Sequence, residues 1–194
     1  MTATARTLHL TPEEYFAWEE GQLERHEYHY GEVHAMSGGT YAHARLNARL
    51  SRLLGNALDG SECVVLSEAM RVEVERAARY VYPDLTVVCG PPEFVTAAET
   101  TLVNPTLVAE VLSPSTAAYD RGEKLADAGL RLTLYRAVAS LREVAFVSSE
   151  KRWVEVARRT AAGGTIAAPV TEGAVALESV GASVDLGELY VGVA

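Results

Sequence analysis

Two stretches, Tyr82-Pro83-Asp84-Leu85-Thr86-Val87-Val88-Cys89 and Thr106-Leu107-Val108-Ala109-Glu110-Val111-Leu112, decide the fold. Both are short apolar runs rich in β-branched residues and bounded by loop signals, the pattern of buried strands. Each carries one carboxylate. Asp84 opens the apolar part of the first, and Glu110 sits inside the second with apolar neighbours on both sides. A charged carboxylate in such a strand is costly unless it is paired or binds a metal. Two strand carboxylates that face each other suit a hard, oxygen-ligated cation such as Mg2+. On the residues alone two alternatives stay open: Asp84 as a surface group at a strand end, and Glu110 as the partner of an arginine.

Outward from this pair the chain alternates helix and strand signals. Thr11-Pro12-Glu13-Glu14 combines an N-cap, a proline at the first helical position and a capping box, and Gly21 stops the helix. Arg25 to Tyr30, the Gly31-Glu32 turn and Val33 to Met36 predict a hairpin. A helix follows over Tyr41 to Leu58, with Leu46, Leu50, Leu53, Leu54, Ala57 and Leu58 on one face. Cys63 to Leu66, Met70 to Glu75, Arg142 to Ser148 and Trp153 to Ala157 read as further strands, Asp120 to Val138 as a helix, and Gly163-Gly164 as a turn. Helices on either side of a run of strands predict a mixed α/β domain.

Other residues can carry chemistry. Lys124 falls in the first turn of the helix after the Glu110 strand, where an ammonium can position water or steady phosphate charge; a solvated helix lysine is the plainer reading. In the hairpin, alternation puts Glu27 and His29 on one face, and His26, Tyr28 and Tyr30 on the other. The histidines there fit cross-strand polar positions, and Glu32 at the turn is the better functional candidate. His43, near a helix start, can approach a metal or a phosphate or be an ordinary hydrogen-bonded helix histidine. Arg45, Arg49 and Arg52 give the same helix a basic edge, which reads first as a solvated face. No P-loop, Gly-x-Ser-x-Gly elbow or GxGxxG motif occurs.

Bulk properties narrow the classes. The 194 residues fit one domain, and 48% hydrophobic content supports a full core. A net charge of −9 argues against broad, non-specific nucleic-acid binding, although a local basic groove is compatible with it. Cys63 and Cys89 form no CxxC pair, so a zinc cluster is not expected. They read as buried free thiols, from which a reducing compartment follows. Met1 to Leu10 lacks the apolar segment of a signal peptide and no apolar run is long enough to cross a bilayer, so no membrane partner and a cytoplasmic location are expected.

Taken together, these segments resemble the Uma-type family of restriction-endonuclease-like proteins. The resemblance runs over Thr11-Pro12-Glu13-Glu14-Tyr15, Tyr30-Gly31-Glu32-Val33, Met36-Ser37-Gly38-Gly39, His43, Tyr82 to Val88 and Asn104-Pro105. It continues through Glu110-Val111-Leu112-Ser113-Pro114-Ser115-Thr116, Tyr119-Asp120-Arg121-Gly122-Glu123-Lys124 and Ser140-Leu141-Arg142-Glu143. It implies a PD-(D/E)xK nuclease core, a mixed β-sheet flanked by helices, filling 1–194 as one domain with an N-terminal helical segment (1–24) packed on it. It further implies that Asp84 and Glu110 hold Mg2+ (or Mn2+) and that Lys124 assists phosphodiester hydrolysis. Glu32 matches a further acidic catalytic position, with His43 and Glu27 as accessory groups. The chain departs from the pattern in three places. Leu112 stands where the superfamily lysine would be; the stretch around Asp127 to Leu132 lengthens the approach to Tyr135-Arg136; and Ser148 replaces a strand-end Asp.

The resulting expectation is a metal-dependent endonuclease acting on DNA, working as a homodimer. The competing reading is a non-catalytic nucleic-acid-binding or regulatory module that retains the nuclease fold.

Overall fold

The computed structural model describes residues 8–36, 38–112, 135, 137–160, 163–166 and 168–193. Helix α1 (Pro12–Glu19) starts as the sequence predicts: the Thr11 hydroxyl accepts from Glu14 N, and the Glu14 carboxylate accepts from Thr11 N. Strands β1 (His26–His29) and β2 (Glu32–Ala35) form the expected hairpin. Tyr30 (φ 49°) and Gly31 (φ 96°) both adopt positive φ at its tip, which the two-residue turn requires.

Helix α2 (Tyr41–Leu58) is capped by Thr40 and buries Leu46, Leu50, Leu54 and Leu58, a four-residue spacing that lines one side of the helix. Then come β3 (Cys63–Ser67), β4 (Arg71–Glu75), β5 (Arg79–Val81), β6 (Leu85–Cys89), β7 (Thr101–Leu102) and β8 (Leu107–Leu112). The remaining strands are β9 (Glu143–Ser148), β10 (Val154–Thr160), β11 (Gly163–Ile166), β12 (Ala174–Leu177) and β13 (Ala182–Asp185), and α3 (Leu186–Leu189) follows them.

The strands make a six-stranded sheet, β11-β10-β9-β8-β6-β3, a five-stranded sheet, β2-β1-β5-β4-β7, and the β12-β13 pair. Within the larger sheet β8 and β9 run parallel, and the rest pair antiparallel. Alternation on β6 and β8 feeds two cores. Leu85, Val87, Leu107, Ala109 and Val111 pack with the α2 leucines and with Leu186, Leu189 and Tyr190. On the opposite face Val108 joins Val144, Phe146 and Tyr135, covered by Val72, Val74 and Val81 of the smaller sheet. Burying each of these side chains contributes about 1.5–3 kcal/mol, so the two sheets and α2 are held from both sides of β8.

Several expectations change. The strand predicted from Tyr82 begins at Leu85, because Pro83 has no N–H to give a ladder. The short β5 and β7 were not anticipated. Gly163-Gly164, read as a turn, open β11, pairing with Thr160 and Arg159. Most of the helix predicted over 120–138 lies outside the described residues; Tyr135 is helical, and the chain turns by Val138. Cys63 and Cys89, expected as free thiols, lie directly opposite each other on β3 and β6 and form a disulfide. The inference of a reducing compartment rested on free thiols and loses that support. No described helix is long and apolar enough to cross a membrane.

Helix α1 packs on the smaller sheet through Tyr15, whose ring stacks on Tyr80 and meets Tyr28 at a tilt. Burial pushes Tyr15 and Tyr80 up, Tyr80 to about 12, with the Glu73 charge adding to the effect on Tyr80. A phenol whose folded pKa lies above its unfolded value of about 10 stays protonated in the native state while the unfolded chain ionises. Its stabilisation is complete below about pH 10 and declines from there upward by about 1.4 kcal/mol per pH unit per phenol. The melting temperature is therefore expected to fall steeply between about pH 10 and 12 and to change less in Tyr80→Phe protein; equal slopes would contradict this account.

Candidate functional site

Asp84 enters β6 directly from Pro83. The β6–β8 register pairs Leu85 with Ala109, Thr86 with Val108 and Val87 with Leu107. Since Ala109 and Val111 face α2, Glu110 points to the other face, between the two sheets, and meets Tyr135 there. Asp84 stands one residue before the first ladder pair, outside β6. Asp84 Oδ2 accepts from Val111 N at 2.7 Å, so the side chain caps the strand end where Pro83 interrupts the ladder.

His43 reaches this carboxylate from the first turn of α2. Its Nε2 lies 3.1 Å from Asp84 Oδ2, with the two side chains 19% and 17% exposed. Thr40 Oγ1 accepts from His43 N, which fixes the turn. The hydrogen bond to Asp84 raises the His43 pKa; burial opposes it, and the charges of Asp84, Glu110 and Glu68 add to the rise. Gly39 makes this approach feasible: a Cβ there would lie 2.7 Å from His43 Nδ1 and 3.1 Å from its Cγ. In Gly39→Ala protein the imidazole must move off Asp84. Cation affinity is expected to fall roughly as far as in His43→Ala protein, about tenfold to a hundredfold if one hydrogen bond to a charged group is lost. Titration calorimetry measures this, and wild-type affinity in Gly39→Ala protein would contradict it.

Glu110 is 8% exposed, and its Oε1 accepts from the Tyr135 hydroxyl at 2.7 Å. That bond comes from the helical segment beyond β8, so the carboxylate is fixed from outside its own strand. The sequence singled out Tyr135 only as half of the Tyr135-Arg136 pair and did not signal Glu68, which follows the last residue of β3. Ser67 pairs with Leu85, so Glu68 lies beside the approach to Asp84.

The structure thus brings Asp84 and His43 together and bonds Asp84 to the backbone next to Glu110. Glu32 sits on β2, with its carboxylate 4.0 Å from His9 and 3.5 Å from His34. Glu27 contacts His29 at 3.2 Å and accepts from Tyr82 N at 3.4 Å, two residues before Asp84. Lys124 lies outside the described residues, as do Ser113 to Thr116. Arg45 and Arg49, read as a solvated face, donate to the carbonyls of Val191 and Glu188 and tie α2 to the C-terminal segment.

The donor set suits a hard cation. Both acids offer carboxylate oxygens, and Mg2+ commonly takes one or two carboxylates while keeping several waters. Asp84 Oδ1 receives no hydrogen bond among the described residues, because His43 and Val111 both use Oδ2. Among the described residues no three His, Cys, Asp or Glu side chains converge as a ligand group.

A family model described as "Uma2: Putative restriction endonuclease" matches residues 12–186. The chain belongs to that family. Two proteins of Synechocystis sp. are similar to it. One, "Uncharacterized protein slr1290", is 44% identical over 115 residues, covering 59% of this chain and 60% of that protein. The other, "Uncharacterized protein sll1609", is 33% identical over 143 residues, covering 74% and 77%. The chain thus spans less than two thirds of the first relative's length. The crystal structure of "a putative nuclease belonging to DUF820" from Anabaena variabilis shares the fold, with a TM-score of 0.70 at 14% identity over 95% of this chain and 99% of that one. The mixed α/β, restriction-endonuclease-like architecture expected for the Uma2 family is therefore the one found.

Proposed function

We propose that this Uma2 protein is a metal-dependent endonuclease that hydrolyses phosphodiester bonds in DNA, with Asp84 and Glu110 as the ligands of Mg2+ or Mn2+. The observation that supports the reading is the pair of carboxylates at the β6–β8 strand ends, with Asp84 bonded to Val111 N beside Glu110, in a chain of the family described as "Putative restriction endonuclease". A divalent ion there would supply Lewis-acid stabilisation of phosphate charge and lower the pKa of attacking water.

The protein's own groups do the positioning. Val111 N and His43 hold Asp84 Oδ2 and leave Oδ1 to the cation. Tyr135 holds Glu110 Oε1. Lys124, matched through the family pattern, would steady charge on the phosphate or orient water. Glu32 and Glu27 lie outside this minimal set. A homodimer would let two such sites reach both strands.

The test is incubation of purified protein with plasmid DNA in EDTA, Mg2+ or Mn2+. Cleavage that needs a divalent ion is expected. Cleavage in EDTA would contradict the reading, and no cleavage despite cation binding would favour the non-catalytic module.

A further inference from the structure

We infer that Arg25 binds a backbone phosphate of the DNA strand that enters the Asp84 site, as a substrate-binding group separate from the cation. The inference rests on the metal-dependent nuclease reading above and adds a residue that the family pattern does not assign.

Arg25 directly precedes β1 and is exposed. Two other segments nevertheless hold its guanidinium in place. Nη1 donates to the Glu68 carbonyl at 3.1 Å, and Cζ sits 5.8 Å from the centre of the Tyr82 ring. Both anchors belong to the surroundings of Asp84. Tyr82 precedes Asp84 by two residues. Glu68 follows β3, whose last residue pairs with Leu85, and its charge acts on His43, the histidine bonded to Asp84. The arginine therefore stands at the rim of the site, accessible to a ligand.

Its donors are largely unused there. A guanidinium offers five N–H groups in a rigid fork that matches phosphate oxygens two at a time. One of them meets Glu68, and among the described residues no carboxylate lies within ion-pair distance of the group. An arginine already held by a carbonyl and a ring loses less freedom when a phosphate docks than a loose one does. The electrostatics call for such a group. A chain of net charge −9 gathers Asp84, Glu110 and Glu68 around one site, and a phosphodiester is repelled there until positive charge offsets them.

The experiment compares wild type, Arg25→Ala and Arg25→Lys in three measurements. Fluorescence anisotropy reads the affinity for a labelled DNA duplex over a KCl series, with Ca2+ as a hard, oxygen-bound cation. Calorimetry reads Mn2+ binding without DNA, and a thermal melt reads stability. In Arg25→Ala protein the duplex affinity is expected to fall about tenfold, one lost hydrogen bond to a charged partner. The slope of log affinity against log salt is expected to shrink by about 0.9, the signature of one phosphate contact. Mn2+ affinity and melting temperature are expected to stay at wild-type values. Arg25→Lys keeps the charge, so it is expected to keep the salt slope while losing part of the affinity with the fork. Wild-type duplex affinity and slope in Arg25→Ala protein would overturn the inference and leave the metal site intact. A matching loss of Mn2+ affinity or of stability would make Arg25 a support for Tyr82 and Glu68 and overturn it as well. Wild type that binds Mn2+ but no duplex would overturn the inference with the metal site still standing; wild type that binds no Mn2+ would overturn the reading beneath it.

Discussion

Asp84→Ala protein is expected to lose metal-dependent DNA cleavage by roughly a thousandfold or more while remaining folded. Lewis-acid stabilisation is worth several kcal/mol, and each ~1.4 kcal/mol of barrier is tenfold in rate. The substitution removes the carboxylate whose Oδ1 accepts no hydrogen bond among the described residues, and it frees His43 from the position it holds at 3.1 Å. The cost to stability is smaller, about 1–3 kcal/mol, because the side chain also accepts from Val111 N and that donor is left without a partner. Cleavage rates in Mg2+ beside a thermal melt separate the two effects. An Asp84→Ala protein that folds and cuts at the wild-type rate would remove Asp84 from the reaction.

The largest expected loss of stability lies elsewhere, at Glu143. This carboxylate is 2% exposed at the start of β9. It accepts from Arg158 Nε at 2.6 Å, from the backbone N–H groups of Glu178 and Ser179, and from the Ser179 hydroxyl at 2.7 Å. It therefore joins the six-stranded sheet to the 3-10 turn between β12 and β13, with each of its oxygens engaged. Removing one member of such a buried network leaves the others unpaired, a loss of about 3–5 kcal/mol. For a domain of this size that corresponds to a fall in melting temperature on the order of 10 °C. Glu143→Ala protein measured by calorimetry should show it, and a shift of only a degree or two would mean that the donors find other partners. Because Glu143 lies at the opposite end of the parallel β8–β9 pair from Ser148, the protein that does fold should keep its cation affinity.

Much of the fold was legible because local signals agreed with one another. Thr11 and Glu14 wrote a capping box, and α2 carried leucines at four-residue spacing and ended at Leu58 as its pattern required. What was missed depended on partners distant in sequence. The two-residue β7 forms because Leu102 pairs in parallel with Val72, and no composition signal marks so short a strand. The disulfide follows from the β3–β6 register, which the two apolar runs around Cys63 and Cys89 do not reveal. Arg45 and Arg49 look like a solvated edge until the C-terminal carbonyls of Val191 and Glu188 come into view.

The site divides in the same way. Asp84 and Glu110 stood out as carboxylates in apolar runs, and the Asp84 side chain bonds to the backbone beside Glu110. Their supports were not readable: Tyr135 approaches from a separate segment, and Glu68 registers only through the raised His43 pKa.

The central claim is that Asp84 and Glu110 together bind a divalent cation, and calorimetric titration of Mn2+ into wild type and the Asp84→Ala/Glu110→Ala double variant tests it most directly. Saturable binding to wild type that disappears in a double variant still showing a cooperative melt is the expected result. Equal binding by both proteins, or none by wild type, would contradict the claim.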